Sequence, residues 1–191
     1  MDLQKQAALE SLYIELREAL GNEKLITAAV TASWDVNRWG YYNCLNNSML
    51  QYLDFVTLMI YDETGPWSGT NVGPHASMSF FENSIDFWLN TRQLPKHKLI
   101  PGVPFYGYKF LSTNNAAGAK SVTYREIVNL YSDAHLTDSV DLIYYNGMNT
   151  MRKKAEFITD NKLGGIMIWE ITQDSSDENK SLLNVIGEVF F

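Results

Sequence analysis

The sequence contains a single cysteine, Cys44, among 191 residues, which excludes an intrachain disulfide and a cysteine-based metal site. It also lacks any apolar run as long as a membrane span. Basic residues are outnumbered by acidic residues, 15 to 22, and the net charge is −7. This charge argues against nucleic acid or an anionic membrane as a partner, because both attract a basic face. A neutral ligand fits better.

Several motifs that define common enzyme classes are absent as well. The three histidines, His75, His97 and His135, lie far apart and do not have the spacing of metal ligands. No G-x-S-x-G elbow is present. Gly164-Gly165 precedes a strand-like run and does not form a phosphate-binding loop. We therefore expect no metal and no cofactor.

The residues that are present indicate a globular protein rich in aromatic rings. Hydrophobic residues make up 46% and charged residues 19% of the chain, which argues against disorder. The length suits one domain, and no linker or repeat suggests a boundary, so we predict a single domain over residues 1–191. Aromatic residues reach 13%, and such rings can stack on sugars as well as fill a core.

Helical and strand-like segments alternate, which predicts a parallel sheet with helices packed on it. Two capping-box patterns, Ser79–Glu82 and Thr123–Glu126, predict helix starts. Pro101 and Pro104 indicate that the last residues of the third strand leave the sheet ladder. The predicted strands are 25–31, 55–61, 98–105, 140–145 and 166–169; the predicted helices are 3–20, 48–53, 79–94, 123–132, 150–161 and 178–190, with a loop over 32–47.

Three apolar runs of strand-like length end in aromatic residues, and a carboxylate follows in two of them. The runs are Phe55–Asp62, Leu99–Gly107 and Gly164–Glu170. In parallel α/β folds the chemistry lies at the carboxyl ends of the strands. The Tyr-Asp, Phe-Tyr and Trp-Glu endings are therefore expected to meet at one end of the sheet.

The residues at these endings have structural interpretations beside the functional ones. Asp62 can be a turn residue that hydrogen-bonds the backbone, or a carboxylate that orients a polar group in a partly dry cleft. Tyr61, just before it, can donate to a substrate carbonyl. Trp169 can cap the core or form a platform for a sugar. Glu170 can be a helix-dipole partner, a group that orients the Trp, or an acid.

Taken together, the segments Leu58–Asp62, Pro101–Gly107 and Gly164–Glu170 resemble the last three core strands of a glycoside hydrolase family 18 chitinase. Thr64–Trp67 and Tyr144–Gly147 are similar to segments of the same family. The resemblance extends from about residue 5 to the end of the chain. It implies an α/β fold that corresponds to the C-terminal half, about strands 5–8, of a (β/α)8 TIM barrel, as a single partial catalytic domain.

The resemblance also implies a glycosidase that acts on β-1,4-linked N-acetylglucosamine polymers. Catalysis in this family is substrate-assisted, because the N-acetyl group of the sugar attacks its own anomeric carbon. Tyr61 would hydrogen-bond the acetamido carbonyl, and Asp62 would contact the same sugar or its acetamido group. The residues implied to bind substrate are Met59 in the pocket lining, Trp67 beside the leaving group, Tyr106 at the cleft wall, Trp169 at the hydrophobic floor, and Glu170.

The sequence departs from the family in one respect. It contains no Asp-x-x-Asp-x-Asp-x-Glu signature, whose Glu is the family's general acid at the end of the fourth barrel strand. The helix at 3–20 resembles the helix that follows that strand. Three interpretations stay open: a truncated enzyme, a non-catalytic chitinase-like lectin, or a structural fragment that needs a partner chain. We expect no hydrolysis by this chain alone, because departure of the leaving group would be unassisted.

The expected ligand is an oligosaccharide that contains N-acetylglucosamine. Half a barrel would leave two sheet edges and an apolar inner face uncovered, so we also expect self-association. The first residues of the sequence do not form a signal peptide. The family resemblance nevertheless suggests that a full-length parent is secreted or periplasmic.

Overall fold

The structure, a computed structural model, describes residues 3–33 and 45–191; Cys44 and most of the loop expected over 32–47 lie outside these ranges. Within them the strands are β1 (Thr27–Thr31), β2 (Phe55–Met59), β3 (Leu99–Pro104), β4 (Tyr106–Lys109), β5 (Lys120–Thr123), β6 (Ser139–Val140), β7 (Ile143–Tyr144) and β8 (Met167–Trp169). The α-helices are α1 (Leu3–Leu20), α2 (Met78–Asp86), α3 (Tyr124–Leu130), α4 (Met148–Asp160) and α5 (Leu182–Phe190).

The main sheet has four parallel strands in the order β1-β2-β3-β8. These are the predicted strands 25–31, 55–61, 98–105 and 166–169, and their parallel arrangement is confirmed. β1 pairs with β2 and β8 pairs with β3, and neither strand has a partner on its other edge among the described residues. An open parallel sheet with helices between successive strands is a partial (β/α)8 barrel.

The two faces of this sheet differ in burial because side chains alternate along each strand. Val56, Leu58 and Val103 are completely buried beneath the helices. On the other face, Thr57 and Met167 are only half-buried. In a closed barrel this second face is the packed interior. Here the described residues leave it partly uncovered.

The prediction that the prolines would take β3 out of the ladder is wrong. β3 pairs with β2 over its first three residues and with β8 over its last three. Pro101 is opposite Leu58 and Pro104 is opposite Trp169, so each proline is the last residue of one ladder. A missing N–H is tolerated at the end of a ladder better than within it.

A second, antiparallel sheet lies between β3 and α4, with the order β5-β4-β7-β6. The strand predicted over 140–145 is wrong in detail, because it is the β6–β7 hairpin, which belongs to this sheet and not to the parallel one. A single residue, Phe105, separates the end of β3 from the start of β4. β4 therefore carries Tyr106 and Tyr108 directly above the carboxyl end of the main sheet.

The predicted start of α2 is also wrong. The N-cap residue is Ser77, whose Oγ accepts from the backbone N–H of Phe80 at 3.1 Å, and Ser79 lies inside the helix. Ser77 has the extended backbone of an N-cap residue, which decides between the two serines. The Thr123–Glu126 capping box at the start of α3 is confirmed.

Two apolar clusters stabilise the fold. The larger one joins the outer face of the main sheet to α2, α4 and α5 and includes Trp88, which is completely buried. The smaller one contains Tyr61, Tyr106, Tyr108 and Phe110 and lies at the carboxyl end of the sheet. No described helix has the length and apolar character needed to cross a membrane.

Candidate functional site

The carboxyl ends of the parallel strands bring three of the predicted residues to one end of the sheet. Asp62 follows β2, Tyr106 follows β3, and Trp169 is the last residue of β8, opposite Pro104. The Tyr106 hydroxyl is 2.5 Å from Oδ1 of Asp62. The predicted placement of these residues at one end is confirmed, whereas their roles toward a ligand stay predictions.

One oxygen of the Asp62 carboxylate is held by several groups. Oδ1 accepts from the hydroxyls of Tyr106 at 2.5 Å and Tyr108 at 3.1 Å, and Nδ1 of His75 lies 3.6 Å away. Burial raises the pKa of Asp62, but the hydrogen bonds from the Tyr106 and Tyr108 hydroxyls oppose burial, and the pKa lies below its usual value. Asp62 is therefore a carboxylate at neutral pH.

The other oxygen of Asp62 is available to a ligand. No described residue donates a hydrogen bond to Oδ2, and the side chain is 39% exposed. A carboxylate with one oxygen fixed and one open can accept from an N–H or O–H group in a defined direction. This geometry favours the orienting role predicted for Asp62 over that of a simple turn residue.

Asp62 has an unusual backbone conformation, with φ of 66° in the left-handed region. A residue other than glycine in this region destabilises the fold by about 1–3 kcal/mol, which contacts with the surrounding structure must offset. Its N–H donates to Nδ1 of His75 at 3.3 Å. His75 is 1% exposed, and its Nε2 lies 3.1 Å from the carbonyl oxygen of Tyr106.

The Tyr61 hydroxyl is a second group available to a ligand. The ring is mostly buried and meets Tyr106 edge-on, with 6.1 Å between the ring centroids. The hydroxyl has no hydrogen bond to another described residue. Burial, and secondly the charge of Asp62, raise the pKa of Tyr61 to about 12, so the hydroxyl keeps its proton and can donate.

Met59 lies next to these polar groups. It is half-buried at the end of β2 and packs against the cluster that contains Tyr61. A cavity of about 220 Å³ opens here. Its lining residues are Thr31, Ala32, Met59, Tyr61, Asp62 and Phe80.

Trp67 and Trp169 expose large ring surfaces, 56% and 54% of each residue. The Trp67 ring meets Tyr108 edge-on at 5.7 Å, and a Cβ atom on Gly65 would lie 2.5 Å from the Trp67 ring. A side chain at position 65 would therefore displace the Trp67 ring from this position. Exposed rings that are held by neighbours can stack on a flat, partly apolar ligand.

The Glu170 carboxylate is turned toward the residues that follow it. Its Oε1 accepts from Thr172 Oγ1 at 2.8 Å and Gln173 Nε2 at 3.2 Å. Glu170 is joined to Trp169 by a cis peptide bond and precedes a single 3-10 turn, Ile171–Gln173. The nearest partners of the carboxylate are thus groups of its own turn.

Two residues that touch Asp62 were not predicted, namely His75 and Tyr108. The Tyr106-Gly107-Tyr108 pattern has the period of two that places both tyrosines on one face of a strand, and it could have indicated the second hydroxyl. The spacing of the histidines argues against a metal ligand and indicates no other role for His75. Among the described residues no group of three or more His, Cys, Asp or Glu side chains is placed to hold a metal ion.

A parallel half-barrel with its polar groups at the carboxyl strand ends is part of a (β/α)8 barrel domain, a fold whose active sites lie at that end. The chain belongs to Glycosyl hydrolases family 18, whose sequence profile matches residues 3–174. A similar solved structure is the GH18 chitinase ChiB from the chitin utilization locus of Flavobacterium johnsoniae. It is 38% identical, with a TM-score of 0.81, and the match covers 94% of this chain and 54% of that one.

Two further relatives match most of this chain but only part of their own length. The probable endochitinase of Orgyia pseudotsugata multicapsid polyhedrosis virus is 26% identical over 94% of this chain and 38% of that protein. A mutant of a plant class V chitinase from Cycas revoluta, solved in complex with (GlcNAc)3, shares the fold at 19% identity. Its TM-score is 0.73, and the match covers 97% of this chain and 62% of that one. The chain thus spans about two-fifths to three-fifths of the length of these proteins.

Proposed function

We propose that this chain is part of a chitinase-like glycoside hydrolase and that its strand ends bind oligosaccharides of β-1,4-linked N-acetylglucosamine. The observation that carries the proposal is the Asp62 carboxylate, which has Oδ1 fixed by two tyrosines and Oδ2 open. Beside it lies Tyr61, whose hydroxyl is a free donor within the described structure. An acetamido group has one N–H and one carbonyl, and these two groups match such a pair.

In this proposal Tyr61 donates to the acetamido carbonyl, and Asp62 Oδ2 accepts from the acetamido N–H or a hydroxyl of the same sugar. The two contacts orient the acetamido oxygen toward the anomeric carbon, which it attacks in substrate-assisted hydrolysis. Orientation of a reacting group within its own substrate accelerates the reaction by removing the entropy cost of bringing it into place.

The apolar contacts of the sugar would come from the aromatic residues around this pair. Trp169 supplies an exposed ring as the floor, and Met59 lines the adjacent cavity. Tyr106 forms part of the wall through its ring, because its hydroxyl is bonded to Asp62. Trp67 would lie on the leaving-group side, as the family resemblance implies. A neutral sugar also suits the net charge of −7.

We further propose that this chain alone binds the sugar without hydrolysing it. The sequence has no Asp-x-x-Asp-x-Asp-x-Glu signature. Glu170 is a poor substitute for that acid, because its carboxylate already accepts from Thr172 and Gln173. General acid catalysis contributes about 10²–10⁴-fold to such reactions, so its absence would leave turnover very slow.

A non-catalytic sugar-binding protein is the second candidate, and the missing acid signature is the observation that favours it. Both candidates require the sugar site, and they differ in whether an acid completes it. Hydrolysis by an assembly that contains this chain together with an acid-bearing segment would favour the enzyme. Binding with no turnover in that assembly would favour the lectin.

Isothermal titration calorimetry with the N-acetylglucosamine tetramer and the glucose tetramer tests the sugar site. We expect weak binding of the acetylated tetramer and none of the glucose tetramer. Trp169→Ala should weaken binding about three- to tenfold, whereas Leu130→Ala, at a still more exposed apolar residue on α3, should leave it unchanged. Equal heats for both tetramers would contradict the proposal.

A further inference from the structure

His75 is buried below Asp62 and has no place in the proposed set of sugar contacts. Each ring nitrogen faces a backbone group. Nδ1 is 3.3 Å from the N–H nitrogen of Asp62, closer than its 3.6 Å to Oδ1 of the same residue, and Nε2 is 3.1 Å from the carbonyl oxygen of Tyr106. The ring lies between two aromatic rings, with centroid distances of 4.9 Å to Tyr106 and 5.2 Å to Tyr108.

These contacts determine which nitrogen carries the proton. A backbone carbonyl can only accept, so Nε2 must carry a hydrogen to bond Tyr106. A backbone N–H can only donate, so Nδ1 must be unprotonated to accept the hydrogen bond from the Asp62 N–H. Both bonds are made together only by the neutral imidazole protonated at Nε2. The flanking tyrosine rings oppose a flip of the imidazole, which would exchange the two nitrogens.

His75 is bonded to the strained turn at two points. Its ring holds the N–H of Asp62, and its backbone carbonyl accepts from the N–H of Glu63 at 2.9 Å. Asp62 has φ of 66°, a conformation that a non-glycine residue keeps only when its surroundings fix it. The Oδ1 contacts with the tyrosines depend on this backbone direction.

The segment that carries His75 is itself fixed to α4. The carbonyl of the next residue, Ala76, accepts from Lys154 Nζ at 2.7 Å and from Asn146 Nδ2 at 3.0 Å. Lys154 is completely buried, and its Nζ also donates to Asn146 Oδ1 at 2.8 Å. His75 is therefore a rigid support under Asp62.

We propose that His75 is a positioning residue of the sugar site: as the Nε2-protonated imidazole it fixes Asp62 in the left-handed conformation that points Oδ2 toward the ligand. Its effect on sugar binding rests on the proposed function, whereas its effect on Asp62 does not. His75 touches Asp62 and the tyrosines, and it acts on the sugar only through them.

The protonation state is tested on the unaltered protein with ¹⁵N-labelled histidine. Long-range ¹H–¹⁵N spectra at neutral pH distinguish a bare Nδ1 from a protonated one. We expect a protonated Nε2 and a bare Nδ1 for His75. A proton on Nδ1 would overturn the proposal, whether or not the protein binds sugar.

Two amide substitutions separate the two bonds. His75→Asn can place its carbonyl oxygen near the Nδ1 position and keep an acceptor for Asp62. His75→Gln reaches the Nε2 position and leaves the Asp62 N–H without its partner. Loss of a neutral hydrogen bond of this kind corresponds to about a two- to tenfold weaker affinity for the N-acetylglucosamine tetramer.

We expect His75→Asn to retain the tetramer affinity and the Asp62 amide signal of the parent. We expect His75→Gln to lose both, even though the two variants have the same melting temperature. Equal changes in the two variants would show a merely structural role and overturn the proposal. If the parent binds no tetramer, the proposed function fails, and the histidine tautomer together with the Asp62 amide signals still decides the positioning role.

Discussion

The Tyr106 hydroxyl donates a 2.5 Å hydrogen bond to Oδ1 of Asp62, although 44 residues separate the two in the chain. The bond connects the first strand of the antiparallel sheet to the end of β2 in the parallel sheet. Because charge-assisted hydrogen bonds are shorter and stronger than neutral ones, it is a main determinant of the Asp62 carboxylate's direction.

Removing this hydroxyl should raise the pKa of Asp62. In Tyr106→Phe the carboxylate keeps its burial but loses its shortest hydrogen bond, and we expect a free energy of unfolding lower by about 1–3 kcal/mol at neutral pH. The pKa of Asp62 is lowered in the folded protein, so this contribution is present at neutral pH and is lost as pH falls through that pKa.

Titration of the Asp62 carboxyl ¹³C signal measures the pKa, and chemical denaturation at several pH values measures stability. Tyr108→Phe is the matched control, because its hydrogen bond to the same oxygen is longer, at 3.1 Å. Its effects should have the same sign and be smaller. An unchanged Asp62 pKa in Tyr106→Phe would contradict the structure.

Lys154 should make stability depend on pH near and above neutrality. Its ammonium contacts the Ala76 carbonyl and Asn146 and lies 5.1 Å from the Phe81 ring centroid. Burial nevertheless lowers its pKa to about 7, and the charge of Asp138 opposes this only in part. The folded protein therefore releases this proton at a lower pH than the unfolded chain.

Relative to Lys154→Met, the free energy of unfolding of the parent should increase as pH rises from about 7 to about 10. The slope should reach at most about 1.4 kcal/mol per pH unit, the value for a difference of one bound proton between the unfolded and folded states. Lys153→Met, an exposed neighbour, controls for loss of a lysine and should show no such slope. A parent and Lys154→Met with parallel pH profiles would exclude the lowered pKa.

The open sheet edges should cause self-association of the isolated chain. β1 and β8 each have one edge without a described partner, and the inner face carries half-buried apolar groups. Sedimentation velocity should show dimers or larger species. Ala29→Lys, which adds a charge to an exposed position of β1, should increase the monomer fraction. A sharp monomer peak with cooperative melting of the parent would contradict this expectation.

Purified chain should not release the chromophore from a chitobiose-type substrate at a measurable rate. Among the motifs that resemble the family, Glu170 is the substitute acid, and its carboxylate is bonded within its own turn. Glu170→Gln is the control. Clear turnover that Glu170→Gln abolishes would show that this glutamate is the acid, against the proposal. Turnover that persists in Glu170→Gln would indicate another acid or a contaminating enzyme.

The parallel sheet could be predicted from the sequence because three of its four strands are long apolar runs that end in Tyr-Asp, Phe-Tyr and Trp-Glu. Helix α1 has the predicted bounds, residues 3–20, because Gly21, with φ of 65°, ends it. These features depend on local sequence, on periodicity and on residues with strong conformational preferences.

The antiparallel sheet could not be predicted in the same way, because β4–β7 are only two to four residues long. Their pairing depends on contacts between distant segments. The same holds for His75 and Tyr108, which reach Asp62 across 13 and 46 residues. Asp62 could be predicted as a candidate site residue from the sequence, whereas the groups that orient its carboxylate could be identified only from the fold.

The central claim is that Tyr61 and Asp62 receive an acetamido group, and a double-mutant cycle between protein and ligand tests it most directly. Calorimetry would give four affinities, for the parent and Tyr61→Phe with the N-acetylglucosamine tetramer and with a tetramer that lacks one acetyl group. Because the Tyr61 hydroxyl has no other partner in the described structure, the substitution should barely change stability. We expect a coupling of about 0.5–1.5 kcal/mol between the hydroxyl and the acetyl group at one position along the tetramer. No coupling at any position, or no binding of the acetylated tetramer, would contradict the account.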